Sequence, residues 1–231
     1  MLNQTTYIRL WRDWRGFVLF VAVMLLFRSA IADWNQVPSG SMIPSILVGD
    51  RIVVDKLAYS LRVPFTLQNV VSWHQPERGD VVTFNSPADE RLLVKRIIGV
   101  PGDVVELRDN HLIVNGKPAH YDEVDRSELA ALAFTDNVHY QVYRESVLGS
   151  SRLVMRSRMA RPAVQTSFSA TEVPADHYLM MGDNRDNSSD SRIIGFVSRD
   201  RILGKASTIA FSLDYDNYYA PRLDRFFEDL P

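Results

Sequence analysis

The sequence predicts a mainly β domain that follows one N-terminal apolar helix. An uninterrupted apolar run from Gly16 to Phe27 indicates the helix, and short β-branched segments beyond Asp33, each bounded by Gly, Pro or Asp, indicate the strands. The 231 residues are 46% hydrophobic and 23% charged, which is the composition of a globular protein and excludes wholesale disorder and collagen-like repeats. We therefore expect one folded domain with room for an insert.

The N-terminal segment has the features of a membrane anchor. Arg9, Arg12 and Arg15 precede the apolar run, which resumes after Arg28 and continues to Ala32. From Gly16 to Ala32 a helix would be roughly 25 Å long, which is marginal for a membrane span, and Arg28 could extend its side chain to the interface. Because basic residues favour the cytoplasmic side, we expect residues 1–15 in the cytoplasm and an anchor over residues 16–33.

A cleavable signal peptide is an equally good interpretation of this segment. A basic start, a short apolar stretch and the small residues Ala30 and Ala32, which form an A-x-A site, are the marks of a segment that is removed after export. The pattern alone leaves the anchor and the cleaved peptide open. Both interpretations predict that the rest of the chain is exported.

Beyond Asp33 the chain is divided into short strands. The segments with the composition or the alternation of strands are Arg51–Val54, Asp80–Phe84, Leu92–Ile98, Val104–Leu107, Leu112–Val114, Val138–Val142, Tyr178–Met181, Phe196–Val197 and Ser207–Phe211. Asn115-Gly116 is a strong turn signal, and only Glu123–Phe134 has a helical pattern. Asp122–Pro174 is the least regular part. We expect a main domain in two parts (34–103 and 177–215), a β-rich insert (104–176) and a C-terminal tail (216–231).

Charge and cysteine content exclude several classes of function and site. The formal net charge is −2, so no basic surplus indicates a nucleic-acid partner. The chain has no cysteine, which excludes disulfides, thiolate nucleophiles and cysteine-based zinc sites. Its basic residues are 22 arginines and only 4 lysines, so few amines are available to act as a base.

Ser41 is the candidate nucleophile. It lies in the segment PSGSMIPS, residues 38–45, where Gly40 permits a tight turn and Pro38 and Pro44 stiffen the backbone on either side. A rigid, exposed serine beside free backbone N–H groups suits a nucleophile with an oxyanion hole. Composition alone favours the alternative of an ordinary Ser/Gly/Pro turn.

A nucleophilic serine needs a base, which could be a histidine or a neutral lysine. The sequence offers five histidines, none of them next to a G-x-S-x-G motif: His74, His111, His120, His139 and His177. Among the lysines we expect Lys117 to be exposed after its turn, Lys56 to be kept charged by Asp55, and Lys205 to have polar neighbours. Only Lys95 lies inside an apolar strand, where burial would favour the neutral amine. The alternative for Lys95 is a strand-edge lysine paired with a carboxylate.

The third feature is the polar loop Gly182–Arg192 (GDNRDNSSDSR), which directly follows a predicted strand. A solvated surface loop is one interpretation. A calcium site is another, but the spacing of an EF-hand loop is absent, because no Gly occupies its sixth position and no Glu closes it. Closely spaced short polar side chains could instead orient a catalytic group.

These segments, in this order, resemble the type I signal peptidases, which are membrane-anchored Ser–Lys endopeptidases of bacteria. The blocks that carry the resemblance are PSGSMIPSILVGD (38–50), RGDVVTF (78–84), LLVKRIIGVPGD (92–103), GDNRDNSSDSRIIGFV (182–197) and ILGKA (202–206). They span most of residues 38–211 and leave the insert and the tail weakly matched. The resemblance implies a signal-peptidase-like β-fold catalytic domain with a β-rich insert, preceded by one transmembrane helix.

The resemblance also implies a role for individual residues. Ser41 would be the nucleophile and Lys95 the general base, and the Ser39 hydroxyl would join the Ser41 backbone N–H in the oxyanion hole. Ser188 would hydrogen-bond the lysine amine, and two pairs would support the site, Asp190 with Arg192 and Asp183 with Arg96. The walls of shallow S1 and S3 pockets, for small residues at positions −1 and −3, would be Val37, Pro38, Met42, Ile46, Leu93 and Val94.

The implied activity is removal of N-terminal signal peptides from exported precursor proteins through an acyl-enzyme. It needs no metal and no cofactor. The implied partners are precursors and the lipid bilayer, with no nucleic acid, and we expect a monomer in the bacterial inner membrane with its catalytic domain on the periplasmic face. The alternatives are a pilin-maturing or conjugation-linked relative with the same chemistry, and an inactive anchored β-domain that binds exported chains. Self-cleaving repressors share the Ser–Lys chemistry, but the apolar N-terminus argues against them.

Overall fold

The N-terminal helix continues directly into the β domain. The computed structural model describes residues 4–66, 68–125, 128–129, 139–159 and 165–230, with the backbone alone for residues 4–10. Helix α1 spans Gln4–Ala30, and strand β1, Ala32–Gln36, begins immediately after it. The predicted anchor reaches residue 33, but the helix ends at Ala30 and Asp33 already belongs to β1. Asp33 forms an ion pair with Arg28 near the end of the helix (Nε–Oδ1 2.8 Å). No helix in the described part of the chain combines the length and apolarity of a membrane span.

A single large sheet carries the main domain. In the described residues it has nine strands, in the order β1-β2-β16-β5-β6-β14-β15, with β17 and β18 also paired to β16. Besides β1, its strands are β2 Asp50–Asp55, β5 Val81–Asn85, β6 Leu92–Gly99, β14 His177–Met181, β15 Val197–Ser198, β16 Ile202–Asp214, β17 Ala220–Pro221 and β18 Glu228–Asp229. A separate hairpin of β3 (Ser60–Arg62) and β4 (Asn69–Ser72) projects beside α1, where the Phe65 N–H donates to Ser29 Oγ at 2.7 Å.

Both faces of this sheet are covered, because successive side chains of a strand point to opposite sides. On β5, Val81 packs into a cluster with Met42 and Ile46, whereas Val82 packs into a second cluster with Phe84 and Ile97. The first cluster includes Met42, the residue that follows Ser41. The core of the domain therefore fixes the position of the turn that carries Ser41.

The described residues between 104 and 172 form two further sheets. One has the order β13-β7-β8-β9 and the other β10-β11-β12. Their strands are β7 Val104–Arg108, β8 His111–Val114, β9 Lys117–Pro118, β10 His120–Glu123, β11 Tyr140–Val147, β12 Ser150–Ser157 and β13 Phe168–Glu172. The prediction that Asp122–Pro174 is the least regular part is wrong for β11 and β12, which pair along their whole lengths as a regular hairpin.

The helical prediction for Glu123–Phe134 is wrong at its start. Glu123 is the last residue of β10, where it pairs with Tyr143 of β11, and this pairing commits its backbone to a strand. Glu128 and Leu129 are helical, and residues 126–127 and 130–134 lie outside the described part of the chain. The predicted strand Val138–Val142 begins at Tyr140, with Val138 outside the described residues.

The predicted mainly β class is confirmed, and five of the nine strands of the main sheet (β2, β5, β6, β14 and β15) match predicted segments within a residue or two, whereas β1, β17 and β18 were not predicted. Two predicted strands differ from the observed strands at their ends. Phe196 lies outside its predicted strand, and the predicted segment Ser207–Phe211 is the middle of the long strand β16.

Candidate active site

Ser41 lies in a tight turn between β1 and β2. A short 3-10 helix spans Gly40–Met42, and the Ile43 N–H donates to the Gly40 carbonyl at 3.3 Å. Two backbone hydrogen bonds, Val37 N–H to Asp50 O at 3.0 Å and Gly49 N–H to Val37 O at 3.2 Å, close the base of this segment. The turn is therefore held at a defined position above the sheet, with Ser41 8% exposed.

Lys95 brings its amine directly to Ser41. Its Nζ lies 2.7 Å from Ser41 Oγ and donates to the carbonyl of Val94 at 3.0 Å. Lys95 is 3% exposed, and its alternate neighbours on β6, Leu93 and Ile97, belong to the apolar cluster on one face of the sheet. The predicted nucleophile and the predicted base are thus in hydrogen-bonding contact.

Burial changes the acidity of this amine. Desolvation disfavours the ammonium form and lowers the pKa of Lys95 from 10.5 to about 8, and the positive charge of Arg192 acts in the same direction. The carboxylates of Asp190 and Asp183 oppose this shift. A group with this pKa has a substantial neutral fraction near neutral pH, which is what a general base requires.

The other lysines are engaged or exposed. Lys56 donates to the Arg28 carbonyl at 2.8 Å and lies 3.5 Å from Asp33, so its carboxylate partner is Asp33 and not the predicted Asp55. Lys205 pairs with Asp80 at 2.6 Å, and Lys117 is exposed. Four of the histidines are exposed and His177 is half-buried.

The polar loop Gly182–Arg192 is held by two buried ion pairs. Arg96 binds Asp183 through two hydrogen bonds of 3.0 and 2.8 Å, and both side chains are 1% exposed. Arg192 binds Asp190 through two hydrogen bonds of 2.8 Å, and Asp190 Oδ2 also accepts the Gly182 N–H at 3.0 Å. Burial alone would raise the pKa of Asp190, but the hydrogen bonds and charge of Arg192 lower it, so Asp190 is ionised.

The third carboxylate of the loop also faces protein donors. Asp186 accepts from the Asn110 side chain at 3.0 Å and from the Ser157 N–H at 2.7 Å. Each loop carboxylate therefore orients protein groups, and the loop is neither a solvated surface turn nor arranged as a calcium loop.

Ser39 and Ser188 were predicted to assist Ser41 and Lys95. Ser39 is exposed in an extended conformation (φ −133°, ψ 153°) and makes no capping hydrogen bond, so its hydroxyl can rotate. Ser188 is buried, and its Oγ has no hydrogen-bond partner within hydrogen-bonding distance among the described residues. Its hydroxyl still lies close enough to Asp190 to contribute to the lowered pKa of that carboxyl group. The predicted hydrogen bond from Ser188 to the Lys95 amine is therefore absent from this structure.

The predicted pocket walls fall into two groups. Val37, Met42 and Ile46 are buried in one cluster, and Val94 packs against it. Pro38 is exposed at the rim. Leu93 packs into the second cluster, on the face of the sheet opposite Val94, and alternation along β6 places it on the same face as Lys95.

Several residues that assemble the site were not predicted from the sequence. Gly182 is one, since a Cβ there would lie 2.5 Å from the Ser41 carbonyl oxygen. Asn184 is another, and it bonds the backbone on both sides of the nucleophile. A buried triad is a third, in which Glu145 of β11 binds Arg185 of the loop and Arg152 of β12. The composition of the polar loop was the only local signal for the first two.

Comparison with known proteins identifies the family of this chain. The chain matches the family described as signal peptidase, peptidase S26, over residues 11–211. Signal peptidase I of Pseudomonas fluorescens is 36% identical over an alignment of 210 residues that covers 86% of this chain and 71% of that protein. Signal peptidase I of Pseudomonas aeruginosa is 35% identical, with the same coverage of 86% and 71%. The crystal structure of a signal peptidase I from Enterococcus faecalis V583 is 28% identical with a TM-score of 0.35, over 59% of this chain and 100% of that chain. By its match over most of its length, this chain belongs to the signal peptidase family, peptidase S26.

Proposed function

We propose that this chain removes N-terminal signal peptides from exported precursor proteins with a catalytic dyad of Ser41 and Lys95. The observation that carries the proposal is the 2.7 Å contact between Ser41 Oγ and Lys95 Nζ, inside a region that lowers the pKa of the lysine to about 8. A neutral amine has one lone pair. With one of its N–H groups directed at the Val94 carbonyl, that lone pair can accept the Ser41 hydroxyl proton.

The reaction proceeds through an acyl-enzyme. Lys95 takes the proton of Ser41 as Oγ attacks the carbonyl carbon of the residue before the cleavage site, and the resulting oxyanion accepts hydrogen bonds from the Ser41 N–H and the Ser39 hydroxyl. The protonated Lys95 then gives its proton to the leaving amine of the mature protein. The neutral lysine next activates a water molecule, which hydrolyses the ester and releases the signal peptide from Ser41. Neither a metal nor a cofactor takes part.

The apolar cluster beside Ser41 supports a preference for small residues. Val37, Met42 and Ile46 are buried, and Val94 and the exposed Pro38 lie next to them. A shallow apolar wall of this kind admits small side chains at positions −1 and −3 of the substrate and excludes larger ones. Leu93, which alternates with Lys95 along β6, is proposed as a further wall on the Lys95 side.

Cleavage of a labelled precursor by the purified protein tests the function. Wild-type protein should cut the precursor at one site after a small residue, and Ser41→Ala and Lys95→Ala should be inactive. Matched controls are Ser189→Ala and Lys117→Ala, which change an exposed serine of the polar loop and an exposed lysine. Binding of the precursor without cleavage would support an inactive β-domain and overturn the proposal.

Ser188 provides a second test of the site. Its buried hydroxyl lies beside Gly182 and has no partner among the described residues. We propose that it hydrogen-bonds the Lys95 amine during the reaction, so Ser188→Ala should lower kcat/KM by about tenfold to a hundredfold while the protein stays folded. Cleavage at the wild-type rate would refute this role.

We further propose that the chain acts as a monomer in the bacterial inner membrane, with its N-terminus in the cytoplasm. The support is the apolar stretch of α1 and the arginines that precede it. Extraction of the native protein from membranes with carbonate, together with reporter fusions at either terminus, tests anchoring and orientation. Release by carbonate would contradict the anchor.

A further inference from the structure

We propose that Asn184 is a positioning residue that aims the oxyanion-hole N–H of Ser41. This inference rests on the proposed function, in which the Ser41 N–H receives the oxyanion. Asn184 does not contact Oγ or Nζ, and its proposed effect is entirely through the backbone of the nucleophile turn.

The first argument is the geometry of one peptide group. Asn184 Nδ2 donates to the Gly40 carbonyl oxygen at 3.0 Å. That carbonyl and the Ser41 N–H belong to the same planar peptide, in which the two bonds point in opposite directions. A hydrogen bond that fixes the Gly40 C=O therefore also fixes the direction of the Ser41 N–H. The carbonyl oxygen can only accept, so the amide nitrogen and not the amide oxygen of Asn184 must face it.

Asn184 also holds the next carbonyl along the chain. Its backbone N–H donates to the Ser41 carbonyl oxygen at 3.0 Å. The two carbonyls on either side of the Ser41 N–Cα–C unit are thus bound by one residue. This close approach needs Gly182, because a side chain there would collide with the Ser41 carbonyl.

The second argument is that Asn184 is itself rigidly held. It is 2% exposed, and its neighbours in sequence are both locked in buried ion pairs, Asp183 with Arg96 and Arg185 with Glu145. Backbone hydrogen bonds from Met155 N–H to Asp183 O at 2.8 Å and from Arg185 N–H to Met155 O at 2.9 Å attach the same stretch to β12. The hydrogen bond to Gly40 is therefore made from a fixed point and not from a mobile loop.

The magnitude follows from what an oxyanion donor contributes. Loss of one such donor typically lowers kcat by about 10²–10³-fold. Asn184 orients and polarises the donor but does not replace it, so we expect a smaller loss of about 10- to 100-fold in kcat. Because substrate binding does not use the oxyanion, KM should change little.

The test compares Asn184→Ala and Asn184→Leu with the control Asn187→Ala. Both Asn184 variants lose the donor, and the leucine preserves most of the volume. Asn187 is an exposed asparagine of the same loop with no side-chain hydrogen bond to the described residues. The measurements are kcat and KM on a precursor peptide, the pH dependence of kcat/KM, the thermal midpoint, and the affinities for a peptide aldehyde ending in alanine and for the cleaved product peptide.

The expected result is a fall in kcat for both Asn184 variants with the midpoint of the pH limb unchanged, since Lys95 is not altered. Affinity for the aldehyde, whose adduct with Ser41 carries the oxyanion, should fall by the same factor, while product affinity and Asn187→Ala stay at wild-type values. Wild-type rates in both variants would overturn the proposal. So would a parallel loss of product affinity, or failure of both variants to fold where Asn187→Ala folds, since either result would mean a structural role. Failure of the wild-type protein itself to cleave would instead overturn the proposed function.

Discussion

Cleavage should rise with pH as Lys95 loses its proton, with a midpoint near the pKa of about 8 that burial gives this amine. An amine with a pKa of 10.5 would be about 0.03% neutral at pH 7, whereas one with a pKa of about 8 is about 9% neutral. Burial of Lys95 thus increases the reactive form about 300-fold at neutral pH. Rates should rise about tenfold per pH unit below the midpoint and level off above about pH 9.

The assay is kcat/KM on a precursor peptide from pH 5.5 to 10, with the folded state checked at each pH. A single-proton limb with its midpoint within about one unit of 8 is expected, in contrast to the midpoint near ~6.5 of a histidine base. A limb near 6.5, or loss of activity only when a histidine is substituted, would refute the assignment of Lys95. Substitution of all five histidines is the complementary control.

Substitutions of Ser41 and Lys95 test the assignment of Lys95 as the base at a single pH. Lys95→Arg keeps a positive charge of similar reach but cannot deprotonate, so it should be inactive. Ser41→Ala and Lys95→Ala should be about equally inactive, and the double variant little worse, because the two residues act as a unit. Appreciable cleavage by Lys95→Arg would show that the lysine does not serve as the base.

Other parts of the structure give further predictions. Arg192→Gln should move the pH limb to higher pH, and Asp190→Asn should move it to lower pH, because the two charges act on the Lys95 amine with opposite sign; unchanged or like-signed shifts would contradict this. Glu145→Gln should lower the free energy of unfolding by about 3–5 kcal/mol in denaturant titrations at pH 7, since two buried arginines lose their counter-charge, whereas the exposed Glu172→Gln should have little effect. The pKa of Glu145 is depressed, so the stability that this triad contributes is present above pH 4.5 and declines as the pH falls below 4.5. A free energy of unfolding that does not change with acid would argue against this contribution. The N-terminus of the native protein should precede Ala32, because the bond after this residue lies within the paired strand β1, and a chain that starts directly after Ala32 would refute this.

The sequence predicts strands well where alternation and β-branched residues coincide. The strand β6 (LLVKRIIG) was recognised almost to its ends, although it contains Lys95 and Arg96. The strand β12 (SSRLVMRS) was missed, because its polar residues give no sign of burial. Arg152 is 2% exposed there only because Glu145, on the neighbouring strand, supplies the counter-charge. Such pairing depends on the tertiary fold and leaves no periodic pattern in the sequence.

The candidate site likewise combines residues with a local sequence signal and residues whose roles depend on the tertiary fold. Local features, a serine in a constrained turn and a lysine in an apolar strand, made Ser41 and Lys95 candidates, and the family resemblance gave them their roles. The contacts of Asn184 could not be predicted in this way, because the Gly40 carbonyl that it binds is far away in sequence and next to it only in the folded protein. Leu93 was assigned to the pocket by resemblance, and alternation along β6 places it on the face of Lys95, opposite Val94.

The charges around Lys95 explain why its pKa can be low beside two carboxylates. The negative charges of Asp190 and Asp183 stabilise the ammonium form and raise the pKa of Lys95. Arg96 and Arg192 each bind one of them through two hydrogen bonds, and the charge of Arg192 partly opposes the effect of the carboxylates on the amine. Burial then becomes the largest influence on the Lys95 pKa. The same ion pairs fix the loop that carries Asn184 and Ser188, so the loop that supports the nucleophile turn also supplies charges that act on its base.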